Sequence, residues 1–492
     1  MAAATVVLAL FATSCVAPPE TPDGYQLSSR LVTGGIQLNW TDPGSSPAGF
    51  DLEVMRVRPD GGPWEPLGHS TTNSFTDTDA VNRTTYLYRV RSAAGSGQAA
   101  GTWSKPVRTT YVELVLPVVR IDTAGGAPIV SKDDYLNAQL AIDPNGSGHP
   151  AFNASMRVKG RGNTTWAFPK KPYKIKLDSK ASIFGMPKAK DWVLLANYND
   201  RSQLRTWTAQ SMGDLTSLAW TPSSVHVELV LNGKYVGVYQ LTEQVEVDSN
   251  RVDITEMEPE DTTGEAVTGG YLLEIDERLE ENSEPGFRTT RRKPIVIKDP
   301  EPANAAQFNY IRQYVQDFEN ALFGPQRSDP DTGYQAYLDL DSYVDWYIVE
   351  ELLKNQDANF SSAYIHKERS EKLRFGPLWD FDLSMGTTKG IVPTDPEQWW
   401  VNQPNVPWTN QIGADPAFHT RLNQRWDAIK SDVDQLPQQI IDLGTTLEEA
   451  VANDAAQWDY TVETNDTAAF LADWLTTRTA WFDTQIDALV AP

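Results

Sequence analysis

The chain has 492 residues, more than a single hydrophobic core usually serves, so its length predicts at least two domains. Its 42 Lys and Arg residues against 66 Asp and Glu residues give a net charge of −24 at pH 7. A surface with this charge repels polyanions, so we expect no nucleic-acid partner. A phosphate-bearing ligand would need a local basic pocket or a divalent cation in order to approach. Because the chain has a single cysteine, no internal disulfide can form, and its stability must come from packing.

A short apolar run at residues 2–13 precedes that cysteine, Cys15. The run is too short to span a bilayer as a helix and is typical of a secretory signal peptide. The residues Ala12-Thr13-Ser14-Cys15 resemble a bacterial lipobox, in which cleavage leaves Cys as a lipidated N-terminus. No Lys or Arg precedes the run and Ala12 stands where Leu is usual, so an ordinary signal peptide is the alternative. We predict an envelope protein that is bound to the membrane only through this lipid, or a secreted one.

Residues 24–112, after a Pro-containing linker at 16–23, read as short alternating strands separated by turn residues. The strand that ends at Trp40, the strand with Tyr86 and Tyr88, and the closing Trp103-Ser104-Lys105-Pro106 resemble the fibronectin type III family. This resemblance implies an all-β sandwich of about seven strands. Because such sandwiches serve unrelated functions, we expect it to space or attach the rest of the chain.

Residues 113–492 are predicted to be β-rich up to about residue 300 and helical afterwards. The clearest element is a hairpin, in which strands at 225–231 and 234–241 flank Asn232-Gly233, the pair that a type I′ turn requires. Further patterns predict helices within 201–218, at 303–322, at 341–355 and over most of the chain after 416. A β-rich region followed by an α-rich one is the layout of protein kinases, although many α+β proteins share it.

Two basic segments in the β-rich region are candidates for phosphate contacts. In the first, at 157–166, glycines allow a close backbone approach beside cations such as Arg161, and a tight basic turn is the alternative. In the second, at 170–177, alternation puts Lys174 and Lys176 on one face of a strand. Such a lysine can hold nucleotide phosphates while it pairs with a carboxylate, and a solvated strand face is the alternative.

Acidic residues follow in three places. Glu243, just after the hairpin, is close enough in sequence to be the carboxylate partner of a strand lysine, whereas the acidic positions of 269–276 read as structural. Asp357 ends an apolar helix, and Trp379-Asp380-Phe381-Asp382 follows a strand and turn at 373–377. In phosphoryl transfer one Asp orients or deprotonates the acceptor hydroxyl and another binds Mg²⁺. Because carboxylates beside Trp and Phe tend to be buried, they need a metal, a cation or, alternatively, backbone amides.

Taken together, these motifs resemble, in order and spacing, the CotH family of atypical protein kinases. The residues that carry the resemblance are Arg161-Gly162-Asn163, Pro172-Tyr173-Lys174-x-Lys176, Trp192-x-Leu194-Leu195-Ala196-Asn197 with Asp200, Asn232-Gly233, Glu243, Asn355-x-Asp357 and Trp379-Asp380-x-Asp382. The resemblance implies a multidomain α+β protein whose kinase-like domain has a β-rich N-lobe and an α-rich C-lobe. It also implies ATP with Mg²⁺ or Mn²⁺ as cofactors, and proteins that carry Ser or Thr acceptors as substrates.

The resemblance also assigns roles by position. It implies that the catalytic residues are Asp357 as acid–base residue, Lys176 and its partner Glu243; that the nucleotide ligands are Lys174, Lys176, Arg161 and Asn163; and that the metal ligands are Asp380, Asp382 and Ser362.

Ser362 is a departure from the kinase pattern. It stands five residues after Asp357, where kinase loops often carry a metal-binding Asn, while Asn359 is out of register. Either a hydroxyl or water completes the metal shell, or metal affinity is reduced. A weakly active or inactive surface-assembly or adhesion module is therefore the alternative function, and nucleotidyl transfer at the same site is a third.

Overall fold

The computed structural model of the chain describes residues 24–41, 49–56, 62–95, 99–391, 393–402 and 406–490. The predicted signal peptide with Cys15 and the linker at 16–23 lie outside the described residues. The chain divides after Glu113 into two compact units. Among the helices of the described residues, none has both the length and the apolar content that crossing a bilayer requires.

The N-terminal unit is β-rich, as predicted, and forms two antiparallel sheets. Its strands are β1 (Gln26–Val32), β2 (Gly35–Thr41), β3 (Phe50–Arg56), β4 (Glu65–Ser70), β5 (Ser74–Asp77), β6 (Thr84–Ser92) and β7 (Val107–Tyr111). One sheet has the strand order β1-β2-β5 and the other β4-β3-β6-β7. The ring of Trp40 from the first sheet packs edge-on against Phe50 of the second, with centroids 5.2 Å apart. Both side chains are buried, so the two sheets share a core.

The second unit begins with a closed seven-stranded barrel. Its strands are β8 (Val118–Thr123), β9 (Leu136–Asp143), β10 (Phe152–Gly160), β11 (Tyr173–Ala181), β12 (Ala189–Leu195), β13 (Ser224–Leu231) and β14 (Lys234–Glu243). Around the barrel the order is β10-β11-β12-β14-β13-β8-β9, and the pair β8/β13 is parallel. The predicted hairpin is confirmed as β13 and β14. Asn232 and Gly233 have φ angles of 49° and 76°, as a type I′ turn demands at both positions.

The rest of this unit combines a five-stranded sheet with helices. The strands are β15 (Tyr271–Ile275), β16 (Gly286–Arg288), β17 (Pro294–Asp299), β18 (Ala363–Lys367) and β19 (Leu373–Phe375), in the order β16-β17-β15-β18-β19. The helices are α1 (Arg205–Gly213), α2 (Ala305–Leu322), α3 (Leu340–Leu353), α4 (Pro407–Ile412), α5 (Pro416–Val433), α6 (Leu436–Trp458) and α7 (Ala468–Val490). The predicted order of β-rich and then helical segments is therefore confirmed.

Helix α3 is buried along almost its whole length, and the buried residues include the acidic side chains Asp345, Glu350 and Glu351 as well as its apolar ones. It begins at an N-cap, Asp339, whose side chain accepts the amide N–H of Ser342 at 2.9 Å. It ends where Lys354 adopts a left-handed conformation, with φ 48°. This stop releases residues 355–362 as a loop that leads into β18, which carries the predicted Asp357. We call residues 355–362 the catalytic loop.

Candidate active site

A cleft of about 360 Å³ lies between the barrel and the five-stranded antiparallel sheet of the second unit. One side, which we call the barrel wall, is formed by lining residues of 161–172 and 195–199. The facing side, the acidic wall, is formed by lining residues between 274 and 383. The lining residues of the barrel wall include no carboxylate. Six carboxylates line the acidic wall: Glu274, Asp276, Glu284, Asp357, Asp380 and Asp382.

Three of the predicted site carboxylates meet on the acidic wall. Asp357 lies in the catalytic loop, where its amide N–H donates to the side chain of Asn355 at 3.3 Å. Asp380 and Asp382 follow β19 and enter the same cleft. Among the described residues, no hydrogen-bond donor reaches the carboxylate of Asp357 or of Asp382, although both are at least nine-tenths buried. Buried carboxylates without donors are costly, so this set is suited to a bound cation.

Electrostatics lead to the same conclusion. Burial first, and then the neighbouring carboxylates of Asp380 and Asp357, hold the pKa of Asp382 well above its ordinary value. Burial, followed by the charge of Asp380, likewise raises the pKa of Asp357. The described residues contain no group of three or more His, Cys, Asp or Glu side chains arranged to hold a metal by themselves. Mg²⁺ usually takes one or two carboxylates together with phosphate oxygens and water, so the acidic wall fits a metal–nucleotide complex.

Ser362 lies against Asp380. Its hydroxyl donates to the Asp380 carboxylate at 3.3 Å. Both residues have left-handed backbones, with φ of 60° and 67°, a conformation that is uncommon for residues other than Gly and tends to occur at functional sites. Asn359 does not replace the missing Asn, because its amide donates to the Val401 carbonyl and its oxygen accepts from Thr409.

The barrel wall supplies cations and backbone. Arg161 lies over the ring of Trp379, 5.4 Å from its centroid. Burial lowers the pKa of Arg161, and the nearby Asp380 carboxylate offsets part of that effect. Gly162 follows with φ 85°, and a Cβ there would lie 2.1 Å from the Thr165 hydroxyl, so the turn requires glycine. Asn163 is exposed at the same turn and lines the cleft. These residues are where the sequence placed the phosphate contacts.

The predicted pairing of Lys176 with Glu243 is wrong. Lys174 and Lys176 lie outside the cleft lining, and their ammonium groups pair with Asp191 at 3.1 and 3.4 Å. Glu243 instead accepts the amide N–H of Ser223 at 2.9 Å and lies 3.8 Å from Arg251. The strand alternation was correct, but the face that carries the two lysines is the solvated outside of the barrel, where Asp191 of β12 is directly opposite Lys176.

Lys170 is the lysine that lines the cleft on the barrel wall, and the sequence reasoning missed it. It is fully buried, pairs with Asp454 of α6 at 2.8 Å and donates to the Val238 carbonyl. Its partner lies near the other end of the second unit, so no local pattern could have identified it. The pair fastens the turn of the barrel wall to the helical region.

Two further carboxylates of the acidic wall, Glu274 and Asp276, lie in the segment that was read as structural. Glu274 accepts the amide N–H of Ser362 at 3.2 Å and pairs with Lys298 at 3.3 Å. Asp276 adds negative charge beside Asp357 and Asp380, and it accepts the amide N–H of Arg278 at 2.8 Å. Alternating acidic residues at the end of a buried strand, 271–276, were the available indication.

In the cleft a cation-bearing turn faces clustered aspartates, and the two loops that flank the β18/β19 hairpin deliver three of them, Asp357, Asp380 and Asp382. A cationic phosphate site opposite metal-binding and catalytic aspartates is the arrangement of a kinase-like site. The family model described as "CotH kinase protein" matches residues 158–482, about two thirds of the chain. The chain belongs to the CotH kinase family. A sequence comparison with curated proteins gives no match.

Solved structures similar to the chain include two kinase regions. "Titin kinase and its flanking domains" has 11% identity and a TM-score of 0.16, over 45% of this chain and 36% of that one. The twitchin kinase region from C. elegans has 10% identity and a TM-score of 0.17, over 48% and 42%. The chain therefore spans less than half of the length of either, and TM-scores this low carry no information about its fold.

Proposed function

We propose that the chain is a protein kinase that transfers the γ-phosphoryl group of ATP to Ser or Thr hydroxyls of envelope or surface proteins. Membership of the CotH kinase family supports a kinase-like protein. The observation that carries the proposal further is the convergence of Asp357, Asp380 and Asp382 opposite Arg161 in one cleft. Phosphoryl transfer needs positioning and charge stabilisation more than covalent chemistry. The two walls therefore contain the types of side chain that the reaction requires.

Each wall would contribute a distinct part of the reaction. A divalent cation bound with ATP would neutralise the charge that develops on the phosphates. Asp380 and Asp382 would hold that cation, with the Ser362 hydroxyl fixing the Asp380 carboxylate. Arg161 and the backbone of the 162–165 turn would bind phosphate oxygens.

Asp357 would orient the acceptor hydroxyl. The oxygen of this hydroxyl would bond to the γ-phosphorus while the bond from that phosphorus to the ADP oxygen breaks. The Asp357 carboxylate would accept the proton that the hydroxyl loses. Burial raises the pKa of Asp357, and a carboxylate with a raised pKa is a stronger proton acceptor.

The decisive experiment compares the wild type with Asp380→Ala on a Ser- and Thr-rich unfolded polypeptide. We expect label from γ-labelled ATP, only with Mg²⁺ or Mn²⁺, and none with α-labelled ATP. Asp380→Ala should remove the signal while thermal unfolding shows an intact fold. Absence of γ-label with the wild type would instead support a surface-assembly or adhesion module, and covalent α-label would support nucleotidyl transfer.

We also propose that the N-terminal unit is a fibronectin type III domain. In its support, the two sheets have three and four strands, and the hydroxyl of Tyr86, early in β6, accepts the amide N–H of Val81 at 2.9 Å. Such a tyrosine corner recurs in sandwiches of this architecture. Expression of residues 24–113 alone should give a folded, cooperatively unfolding domain, and an unfolded product would contradict the proposal.

The N-terminal sequence leads us to propose that the protein acts outside the cytoplasm, anchored through a lipid on Cys15 or secreted. Cys15→Ala should move the protein from the membrane fraction to the soluble extracytoplasmic fraction. An unchanged distribution would indicate an ordinary signal peptide.

A further inference from the structure

A second cavity, of about 650 Å³, adjoins the active-site cleft, and Gln356 and Phe360 of the catalytic loop line both. We call it the basic groove. Outside the catalytic loop, its lining residues are Glu277, Arg288, 291–293, Ile391, Trp400 and 406–408. Because Asp357 lies between Gln356 and Phe360, whatever occupies this groove lies beside the proposed acceptor position.

The charge of the basic groove is opposite to that of the protein as a whole. Its lining has four cations, Arg288, Arg291, Arg292 and Lys293, and one acidic residue, Glu277. Only Arg288 is neutralised, by Glu277 at 2.8 Å and by Glu280. Arg291 and Arg292 are exposed and have no ion pair among the described residues. On a chain of net charge −24, a locally positive surface is where an anionic partner would be attracted most strongly.

Lys293 connects the positive charge of the basic groove to the catalytic loop. Its side chain is nine-tenths buried, and its ammonium group donates to the Asn359 carbonyl at 3.2 Å but forms no ion pair with a carboxylate of the residues that the structure describes. Burial lowers the pKa of Lys293 to about 8, which shows that its charge is poorly compensated. A buried ammonium with one hydrogen bond retains unused donors, so an anion in the groove would complete its shell.

Apolar side chains stand beside these cations. Phe360 is 44% exposed and Ile391 is 81% exposed, two of the few large hydrophobic residues on the surface of the described residues. Trp400 and Trp408 also line the groove. Ile391 is connected to the catalytic loop, because its amide N–H donates to the Gln356 side chain at 2.7 Å. Exposed apolar groups next to cations are typical of a surface that recognises a peptide through both.

We propose that the basic groove docks the acceptor polypeptide, and that it selects Ser or Thr acceptors flanked by Asp or Glu together with a large apolar residue. The acidic side chains would pair with Arg291, Arg292 and Lys293, and the apolar one would pack on Phe360 and Ile391. This inference rests on the proposed kinase function, whose acceptor it specifies.

The first test measures binding to the full chain without nucleotide, by fluorescence anisotropy. The probe is a short fluorescein-labelled peptide with one Ser, a neighbouring Leu and flanking Glu residues. Its match replaces every Glu with Gln. We expect the Glu peptide to bind at least about 10-fold more tightly at low salt, with the advantage shrinking as ionic strength screens it. Equal binding of the two peptides would overturn the proposal.

The second test reverses charge in the groove. Arg291→Glu with Arg292→Glu should abolish the preference for the Glu peptide. The matched control is Lys188→Glu with Lys190→Glu, which makes the same change in net charge on an exposed part of the barrel outside both cavities, and it should keep the preference. Equal losses in both double variants would overturn docking in the groove.

Three further outcomes separate the alternatives. Tighter binding of a single-stranded oligouridine than of the Glu peptide, lost in the groove variant, would overturn the peptide proposal in favour of a nucleic-acid surface. Because peptide binding is measured without ATP, it is independent of catalysis. Groove-dependent binding without any γ-label transfer would overturn the kinase function alone, whereas transfer that is indifferent to Glu and to the groove variant would overturn the docking proposal alone.

Discussion

The two walls of the cleft differ in charge and in the way the chain builds them. The barrel wall presents Arg161 and Lys170, and its lining residues include no carboxylate, whereas the acidic wall presents six carboxylates. The barrel wall comes mainly from one turn between paired strands, β10 and β11. The acidic wall is assembled from β15, the catalytic loop and the segment after β19. The comparison indicates that the phosphate side is a local structure, while the metal side exists only when distant segments pack.

The largest expected effect is on the acidic wall. Asp357→Asn should lower the rate of phosphoryl transfer by about 100-fold to 10,000-fold, because it removes the proton acceptor. The KM for ATP should change little, since the carboxylate faces the acceptor hydroxyl. Steady-state kinetics with γ-labelled ATP measure both values. A loss of less than about 10-fold would indicate that proton acceptance is not the role of Asp357.

The next largest effect is expected at Arg205, whose buried contacts hold the segment after Asp382 in place. Arg205 of α1 is fully buried; it pairs with Asp200 at 2.7 Å and Asp466 at 2.8 Å and donates to the Ser384 carbonyl, two residues after Asp382. Arg205→Met leaves the two buried carboxylates without their cation, so it should lower the free energy of unfolding by about 3–5 kcal/mol.

Chemical denaturation measures this change, and Arg201→Met is its matched control. Arg201 carries the same charge on the same segment but pairs with the half-exposed Glu463 at 3.4 Å. Its replacement should cost less than about 1 kcal/mol. Similar losses in the two variants would contradict a special role for the buried network.

On the barrel wall, Arg161→Met should weaken binding of the metal–ATP complex by about 10-fold to 100-fold, because a charge-assisted contact to phosphate is lost. The matched control is Lys176→Met, which changes the same charge on the outside of the barrel and should leave affinity unchanged. Titration with a fluorescent ATP analogue measures both. A larger effect at Lys176 than at Arg161 would restore the original strand-lysine hypothesis.

The smallest expected effect concerns a buried carboxylate of the barrel that does not line the cleft. Burial raises the pKa of Glu228 to about 7, although its carboxylate accepts the amide N–H groups of Val115 and Leu116. Because the folded pKa exceeds the unfolded one, the folded state binds more protons between about pH 4.5 and 7, so this residue's contribution to stability falls as pH rises.

Glu228→Gln removes this titration while keeping an acceptor for both amides. Relative to the wild type, the variant should therefore gain about 1–2 kcal/mol in free energy of unfolding between pH 5 and pH 8. Denaturant titrations at the two pH values measure the difference. A difference that is independent of pH would show that the Glu228 carboxylate is ionised with no penalty in the fold.

Elements that depend on neighbouring residues could be predicted from the sequence. The hairpin at Asn232-Gly233 follows from two positive φ angles that these residue types tolerate, and the buried helix before Asp357 follows from its apolar run. The Gly162 turn belongs to this group too, and so do the positions of Asp357 after α3 and of Asp380 after β19, although the two carboxylates meet only through packing.

Residues whose place in the cleft depends on contacts with distant segments could not be predicted in this way. Alternation with a period of two states that Lys174 and Lys176 share a face, but not whether that face meets the cleft or solvent. Lys170 is directed inwards by Asp454, and Glu274 and Asp276 become part of the acidic wall only when β15 pairs with β18. The chain's local chemistry thus established which segments can carry phosphate and metal ligands, whereas packing between distant segments selected which cations and carboxylates meet, because electrostatic partners are chosen by distance in space.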